Sequence, residues 1–138
     1  MTAKATTSRM LLPLVSVAAL GDLAVFALFV FAGRAEHGIV QEAAFWRTAL
    51  PFAAVWFALS PWLGAFRTSI LTSVRTSAWR IPLIWLLCGV IAIVLRVWLT
   101  DRTFQLTFAL VAIGVQAVML LGWRVVLSLV SRKLFASQ

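Results

Sequence analysis

Asp22 is the residue best placed for chemistry, because it is a carboxylate inside a long apolar segment. It lies about twelve residues into a helix predicted over about 10–33, which is near the middle of a bilayer. An uncompensated charge at that depth is costly, so the carboxyl group must be protonated, paired or facing water. Its position indicates either a proton or cation site, or a buried ion pair or hydrogen bond that fixes helix register. Gly21 beside it would let a neighbouring helix approach closely.

Three other polar residues in apolar segments could interact with Asp22 or across helices. Arg96 lies about 6 Å from Asp22 in depth, so it either pairs with Asp22 or extends its side chain to the membrane surface. Arg124 lies toward the end of its segment beside Trp123, where an interfacial arginine is a simpler interpretation than a functional one. Gln116 lies mid-segment, and we expect its amide to hydrogen-bond across helices.

Asp22 also begins a stripe along the first helix. Phe26, Phe29, Gly33 and His37 follow at spacings of 4, 3, 4 and 4 residues, on one face if the helix continues that far. That face should pack against other helices or line a cavity. An aromatic stripe is more typical of packing than of a cofactor site.

Other kinds of chemistry have little support in the sequence. His37, the single histidine, stands near Glu36 and Glu42, which together make only a weak metal or pH-sensing site. Cys88 is the single cysteine and lies in an apolar segment, so one chain can form no disulfide framework or cysteine metal site. No catalytic triad, pair of catalytic carboxylates or glycine-rich phosphate loop is readable. We therefore predict no enzyme activity, no metal and no cofactor.

Four apolar segments must position these residues, and each is long enough to cross a bilayer, which takes about 20 helical residues. They are predicted at about 10–33, 46–66, 81–100 and 104–130. Pro82 falls in the first turn of the third segment, where a missing N–H does no harm. Pro61 should end the second helix early or kink it. The chain is thus predicted to be all-α, a single domain over 1–138 that forms an integral membrane bundle of four transmembrane helices.

The composition agrees that lipid is the natural solvent. Of 138 residues, 63% are apolar and 12% are charged, against norms of about half and about a quarter. A soluble chain of this length could not bury so much apolar surface. Most of the net charge of +8 comes from the ends of apolar segments, which favours topology control and attraction to anionic headgroups over nucleic-acid binding.

The distribution of lysine and arginine between the two ends of the segments predicts the orientation. Seven lie on one side: Lys4, Arg9, Arg67, Arg75, Arg80, Arg132 and Lys133. Three lie on the other: Arg34, Arg47 and Arg102. Both termini are therefore predicted to be cytoplasmic, with the hydroxyl-rich stretch 68–77 forming a solvated cytoplasmic loop.

Tryptophan positions fit this arrangement. Trp56 and Trp85 fall mid-helix and should be packing residues. The others fall near predicted helix ends, as an interfacial belt requires: Trp46, Trp62, Trp79, Trp98 and Trp123.

Motif residues recur from the first segment to the last. The first segment carries Gly21-Asp22, Phe26, Phe29, Gly33-Arg34 and His37-Gly38. Later features are Pro51, Gly89, Arg96 and Gly122-Trp123-Arg124. Over about 16–130, these residues resemble a family of small prokaryotic membrane proteins called domain of unknown function 3054. The family has no established function, so the resemblance implies the fold and the residues of interest but no reaction.

Two functions are favoured by these observations over a third, a membrane enzyme or redox carrier, whose chemistry would have to rest on Asp22, His37 and arginines alone. The first is a small transporter or channel for an unknown ion or solute, with Asp22 as its site and Arg96 or Arg124 as the counter-charge. A fully enclosed and paired Asp22 would remove the main support for it. The second is a non-transporting component, such as an assembly factor, a complex subunit or a lipid-interacting scaffold, because no substrate motif is readable. Homo-oligomers are a further hypothesis, since so narrow a bundle encloses little space. The predicted location is the bacterial inner membrane.

Overall fold

The computed structural model describes the backbone of residues 2–37, 42–100 and 103–136, and the side chains of 12–33, 50–99 and 103–133. The helices are α1 (Thr2–His37), α2 (Glu42–Leu59), α3 (Thr68–Leu71), α4 (Val74–Thr100) and α5 (Leu106–Ala136). The described part of the chain contains no strand, so the all-α prediction is confirmed.

Three helices contain stretches that are long and apolar enough to cross a membrane, namely Leu12–Gly33, Val74–Leu99 and Leu106–Lys133. The described apolar stretch of α2, Leu50–Leu59, is shorter. Large apolar side chains such as Leu12, Val118 and Trp98 point outward from the bundle. A surface of this kind is suited to lipid, so the chain has the character of a membrane protein.

The second helix, predicted at about 46–66, ends earlier in the structure than predicted. Helix α2 stops at Leu59, and residues 60–66 form a turn. Pro61 has no N–H to continue the helical ladder, so the prediction that it ends the helix early is confirmed. The turn is closed by a hydrogen bond of 2.9 Å from the Ala65 N–H to the Ser60 carbonyl. Gly64 takes a φ of 84°, which a glycine adopts without strain.

Helix α4 begins earlier than predicted, at Val74. Pro82 therefore lies inside the helix, and its predicted place in the first turn is wrong. The residues before it contain no glycine or proline, and they continue the helix to the N-terminal side. Proline also lies inside α1 (Pro13) and α2 (Pro51), as membrane helices tolerate.

An aromatic core joins α1, α2 and α4. Trp56 and Trp85 are fully buried, which confirms their predicted packing role. The ring centroid of Phe26 lies 5.6 Å from that of Trp85 and 6.4 Å from that of Trp56. Helix α5 closes the core by packing against α4 and α1, and Cys88 is buried in it as a small apolar side chain.

Candidate functional site

Asp22 is completely enclosed, with 0% of its surface exposed, and it forms an ion pair with Arg124 of α5. Arg124 Nε donates to Oδ1 at 2.9 Å, and Nη2 donates to Oδ2 at 2.5 Å. Trp56 Nε1 of α2 donates a further hydrogen bond of 2.9 Å to Oδ2. Both carboxylate oxygens therefore have charged or polar donors, which is the condition under which a buried charge is tolerated.

Arg124 is 1% exposed, so the interfacial interpretation of this residue is wrong. Its Nη1 donates to the carbonyl of Ala65 at 3.0 Å, and its guanidinium carbon lies 4.7 Å from the ring centroid of Phe66. Helix α5 continues to Ala136, beyond its predicted end, so Arg124 lies well inside it. The guanidinium thereby links α5 to α1 and to the turn after α2.

Gly21 and Trp123, the residues preceding the ion pair on each helix, also meet. A β-carbon on Gly21 would overlap Cε2 of the Trp123 indole. Trp123 Nε1 donates to the carbonyl of Ala18 at 3.4 Å. The prediction that Gly21 permits close approach is confirmed. The indole of Trp123 packs against α1, and its interfacial depth stays a prediction.

Arg96 occupies a different region from the ion pair. It is partly buried near the end of α4, with its guanidinium carbon 4.1 Å from the ring centroid of Phe108. Phe108 belongs to the first turn of α5. The arginine that holds Asp22 is therefore Arg124, and Arg96 stacks on an aromatic ring at the opposite end of α5.

Gln116 is 1% exposed, and neither of its amide atoms has a hydrogen-bond partner among the described residues. The predicted cross-helix hydrogen bond is therefore wrong. Its neighbours one turn away on the same face, Ala112 and Leu120, are apolar and buried. The hydroxyl of Ser60 is likewise buried without a partner in the described part of the chain.

The stripe on α1 is confirmed only in part. Phe26 is buried in the core and Phe29 packs against it. Gly33 lies beyond Val30, the last buried residue among the described side chains of α1. Gly33 is exposed, and no described atom lies within 4 Å of the position that a β-carbon would take. Helix α1 does continue to His37, but the side chains of Arg34 and His37 lie outside the described residues.

A buried serine cluster, which the sequence did not predict, joins α3, α4 and α5. The Ser77 hydroxyl donates to the carbonyl of Ile70 and lies 3.3 Å from the hydroxyl of Ser128. The Ser131 hydroxyl donates to the carbonyl of Leu71 at 3.0 Å. Ser77 is thus buried, and its assignment to a solvated loop is wrong. One sequence feature could have predicted this cluster. The spacing of 4 and 3 residues places Arg124, Ser128 and Ser131 on one face of α5.

The arrangement is suited to holding helices together rather than to bond-making chemistry. Asp22 is saturated by donors, and no described nucleophile or second carboxylate stands beside it. Within the described ranges, no three His, Cys, Asp or Glu side chains come close enough to hold a metal ion. The site is a closed polar network inside an apolar bundle.

Comparison with known protein families gives a match over most of the chain. The model of a family described as "Protein of unknown function (DUF3054)" matches residues 19–127. This range includes Gly21, Asp22, Trp123 and Arg124, both halves of the interhelical contact. No curated protein and no solved structure matches the chain.

Proposed function

We propose that this chain, which belongs to the DUF3054 family, is a non-transporting component of the bacterial inner membrane. In this role, it is a rigid helical bundle whose outer surface meets lipid or a partner protein. It carries out no enzymatic reaction. The proposal favours an assembly factor, complex subunit or lipid-interacting scaffold over a transporter or channel.

The observation that carries the proposal is the complete enclosure of Asp22. A coupling or selectivity site must be reached by water or by the transported ion. Asp22 has no exposed surface, and both of its oxygens accept hydrogen bonds from Arg124 or Trp56. Freeing it for an ion would break the ion pair and leave a buried guanidinium without its counter-charge, which is strongly unfavourable.

The proposed topology has four membrane crossings, with both termini in the cytoplasm. Three crossings correspond to the long apolar stretches of α1, α4 and α5. Helix α2 supplies the fourth, since its 18 residues include a buried, aromatic-rich half that packs in the core between α1 and α4. The excess of lysine and arginine at the end that holds the termini supports the orientation. Reporter tags should therefore be cytoplasmic at both termini, and a periplasmic tag would contradict this topology.

Flux measurements in proteoliposomes test the proposal. Wild type and Asp22→Asn should pass K⁺, Na⁺, Cl⁻ and H⁺ no faster than vesicles without protein. Ser69→Ala, an exposed substitution outside the network, is the matched control for reconstitution. Flux through wild type and Ser69→Ala that disappears in an inserted, folded Asp22→Asn would contradict the proposal and favour transport.

Cross-linking in native membranes tests whether the chain binds a partner protein, as the proposal allows. A stable partner should yield a cross-linked species of defined size with single-cysteine variants of the chain. Introduced cysteines at exposed sites on α5, such as Val118, provide attachment points because the chain's own Cys88 is buried. A chain that cross-links only to lipid would favour the scaffold form over a complex subunit.

A further inference from the structure

One end of the bundle combines exposed arginines with exposed tryptophans. Arg67 and Arg75 are exposed at the two sides of α3, and Arg80 follows in the second turn of α4. Trp62, on the turn after α2, is 87% exposed, and Trp79 is 54% exposed. We call these five residues the basic rim.

The basic rim has no acidic residue near it in the sequence. The chain has four acidic residues, of which Glu36, Glu42 and Asp101 adjoin the opposite ends of α1, α2 and α4. The fourth, Asp22, is already paired with Arg124. Positive charge on the rim is therefore not neutralised within the chain's own sequence neighbourhood, and exposed Arg132 and Lys133 of α5 add to it.

Two of the rim arginines are held by neighbouring groups. The guanidinium carbon of Arg80 lies 4.9 Å from the ring centroid of Trp79. The side chain of Arg67 folds over Gly64, where a β-carbon would lie 2.9 Å from Nε. A glycine at position 64 thus allows both the turn and the placement of the Arg67 side chain over it.

The segment that bears the rim is anchored to the bundle. Ile70 and Leu71 of α3 are buried. Their carbonyls accept hydrogen bonds from Ser77 and Ser131, which belong to α4 and α5. The arginines are therefore presented from a fixed platform, which reduces the entropy lost when they bind a ligand.

We propose that the basic rim binds the headgroups of anionic phospholipids. Guanidinium groups form bidentate hydrogen bonds with phosphate, and exposed indoles lie at the level of lipid headgroups. Both requirements are met within the rim, and its charge is complementary to an anionic surface. This inference rests on the proposed membrane insertion and deepens the scaffold form of the proposed function.

The test uses the full chain in phosphatidylcholine vesicles that contain a trace of spin-labelled phosphatidylglycerol or phosphatidylcholine. Electron paramagnetic resonance then gives the preference of the protein surface for the anionic lipid. Wild type should prefer phosphatidylglycerol, and Arg67→Gln/Arg80→Gln should lower that preference roughly tenfold. The matched pair Arg67→Lys/Arg80→Lys keeps both charges but not the bidentate geometry, and it should lose clearly less of the preference than the glutamine pair.

High salt should also weaken the preference of wild type, because exposed charges are screened. The inference is overturned if wild type shows no preference, if the glutamine pair retains it, or if the lysine pair loses as much as the glutamine pair. Ion flux, recorded on the same vesicles, reports separately on the proposed function. Flux with an intact lipid preference would overturn the proposed function and leave this inference standing.

Discussion

The indole of Trp123 occupies the space that a side chain on Gly21 would need. A β-carbon at position 21 would overlap Cε2 and Cζ2 of that indole. One residue further along each helix, Asp22 meets Arg124. Two adjacent residues of α1 thus contact two adjacent residues of α5, and the register of the two helices is fixed by size and by charge together.

Gly21→Ala should lower the free energy of unfolding by about 1–3 kcal/mol, because the indole must move and lose its contact with Ala18. Thermal unfolding in mild detergent measures the effect. Gly114→Ala and Gly122→Ala are matched controls, since no described atom lies within 4 Å of a β-carbon at either site. Equal losses at all three glycines would mean that helix flexibility, rather than Trp123, makes position 21 sensitive.

Asp22→Leu and Arg124→Leu should each destabilise the bundle by about 3–5 kcal/mol, because each leaves its partner's charge buried and unpaired. The double variant should lose much less than the sum of the two. A double-mutant cycle on thermal unfolding gives the coupling. Strict additivity would show that the two side chains act independently and would contradict the ion-pair geometry.

Gln116→Leu should leave stability unchanged or raise it, by about 1–3 kcal/mol, because the buried amide has no hydrogen-bond partner among the described residues. Leucine is close to glutamine in size and suits the apolar neighbours Ala112 and Leu120. Gln105→Leu, at an exposed position before α5, is the control and should change little. A clear loss of stability in Gln116→Leu alone would mean that the amide is bound by something, such as water, in the native protein.

Ser77→Ala should loosen α3, because the Ile70 carbonyl loses a buried hydrogen bond worth about 1 kcal/mol. Hydrogen exchange of the amides in 68–72 should become faster, while that of the α1 core stays unchanged. Ser69→Ala, on the exposed side of the same short helix, should leave the exchange pattern as in wild type. Unchanged protection in Ser77→Ala would mean that apolar burial and the Ser131–Leu71 hydrogen bond hold α3 without Ser77.

The helices are predictable because apolar runs of bilayer length leave few alternatives to helix in a chain of this composition. The importance of Asp22 is also predictable, since placing a carboxylate deep in a membrane is unfavourable in free energy whichever residue pairs with it. Which arginine pairs with Asp22 is not predictable from the sequence. The sequence indicates how deep a residue lies along its helix, but not how the helix is rotated toward its neighbours. The interfacial prediction for Arg124 is wrong because its guanidinium turns inward and is buried against Asp22.

Predictions of burial and hydrogen bonding from local composition are wrong where tertiary contacts decide the environment of a residue. Ser77 lies in a stretch of hydroxyl residues that resembles a solvated loop, yet the carbonyls of Ile70 and Leu71 require donors at that place. The expectation of a partner for Gln116 rests on the general behaviour of buried amides, which this residue does not follow. The central tryptophans are easier to predict, since Trp56 and Trp85 fall in the middle of predicted apolar segments, and both are fully buried.

The ion pair also constrains how the protein is made. Asp22 and Arg124 are 102 residues apart, on the first and last long helices. A ribosome adds about 5–20 residues per second, so the carboxylate is synthesised about 5–20 seconds before its counter-charge. During that interval, the nascent chain holds an unpaired acid, which must stay protonated, hydrated or protected by the insertion machinery. Truncated chains that end before α5 should therefore insert less stably than the full chain. Membrane proteases should degrade them faster.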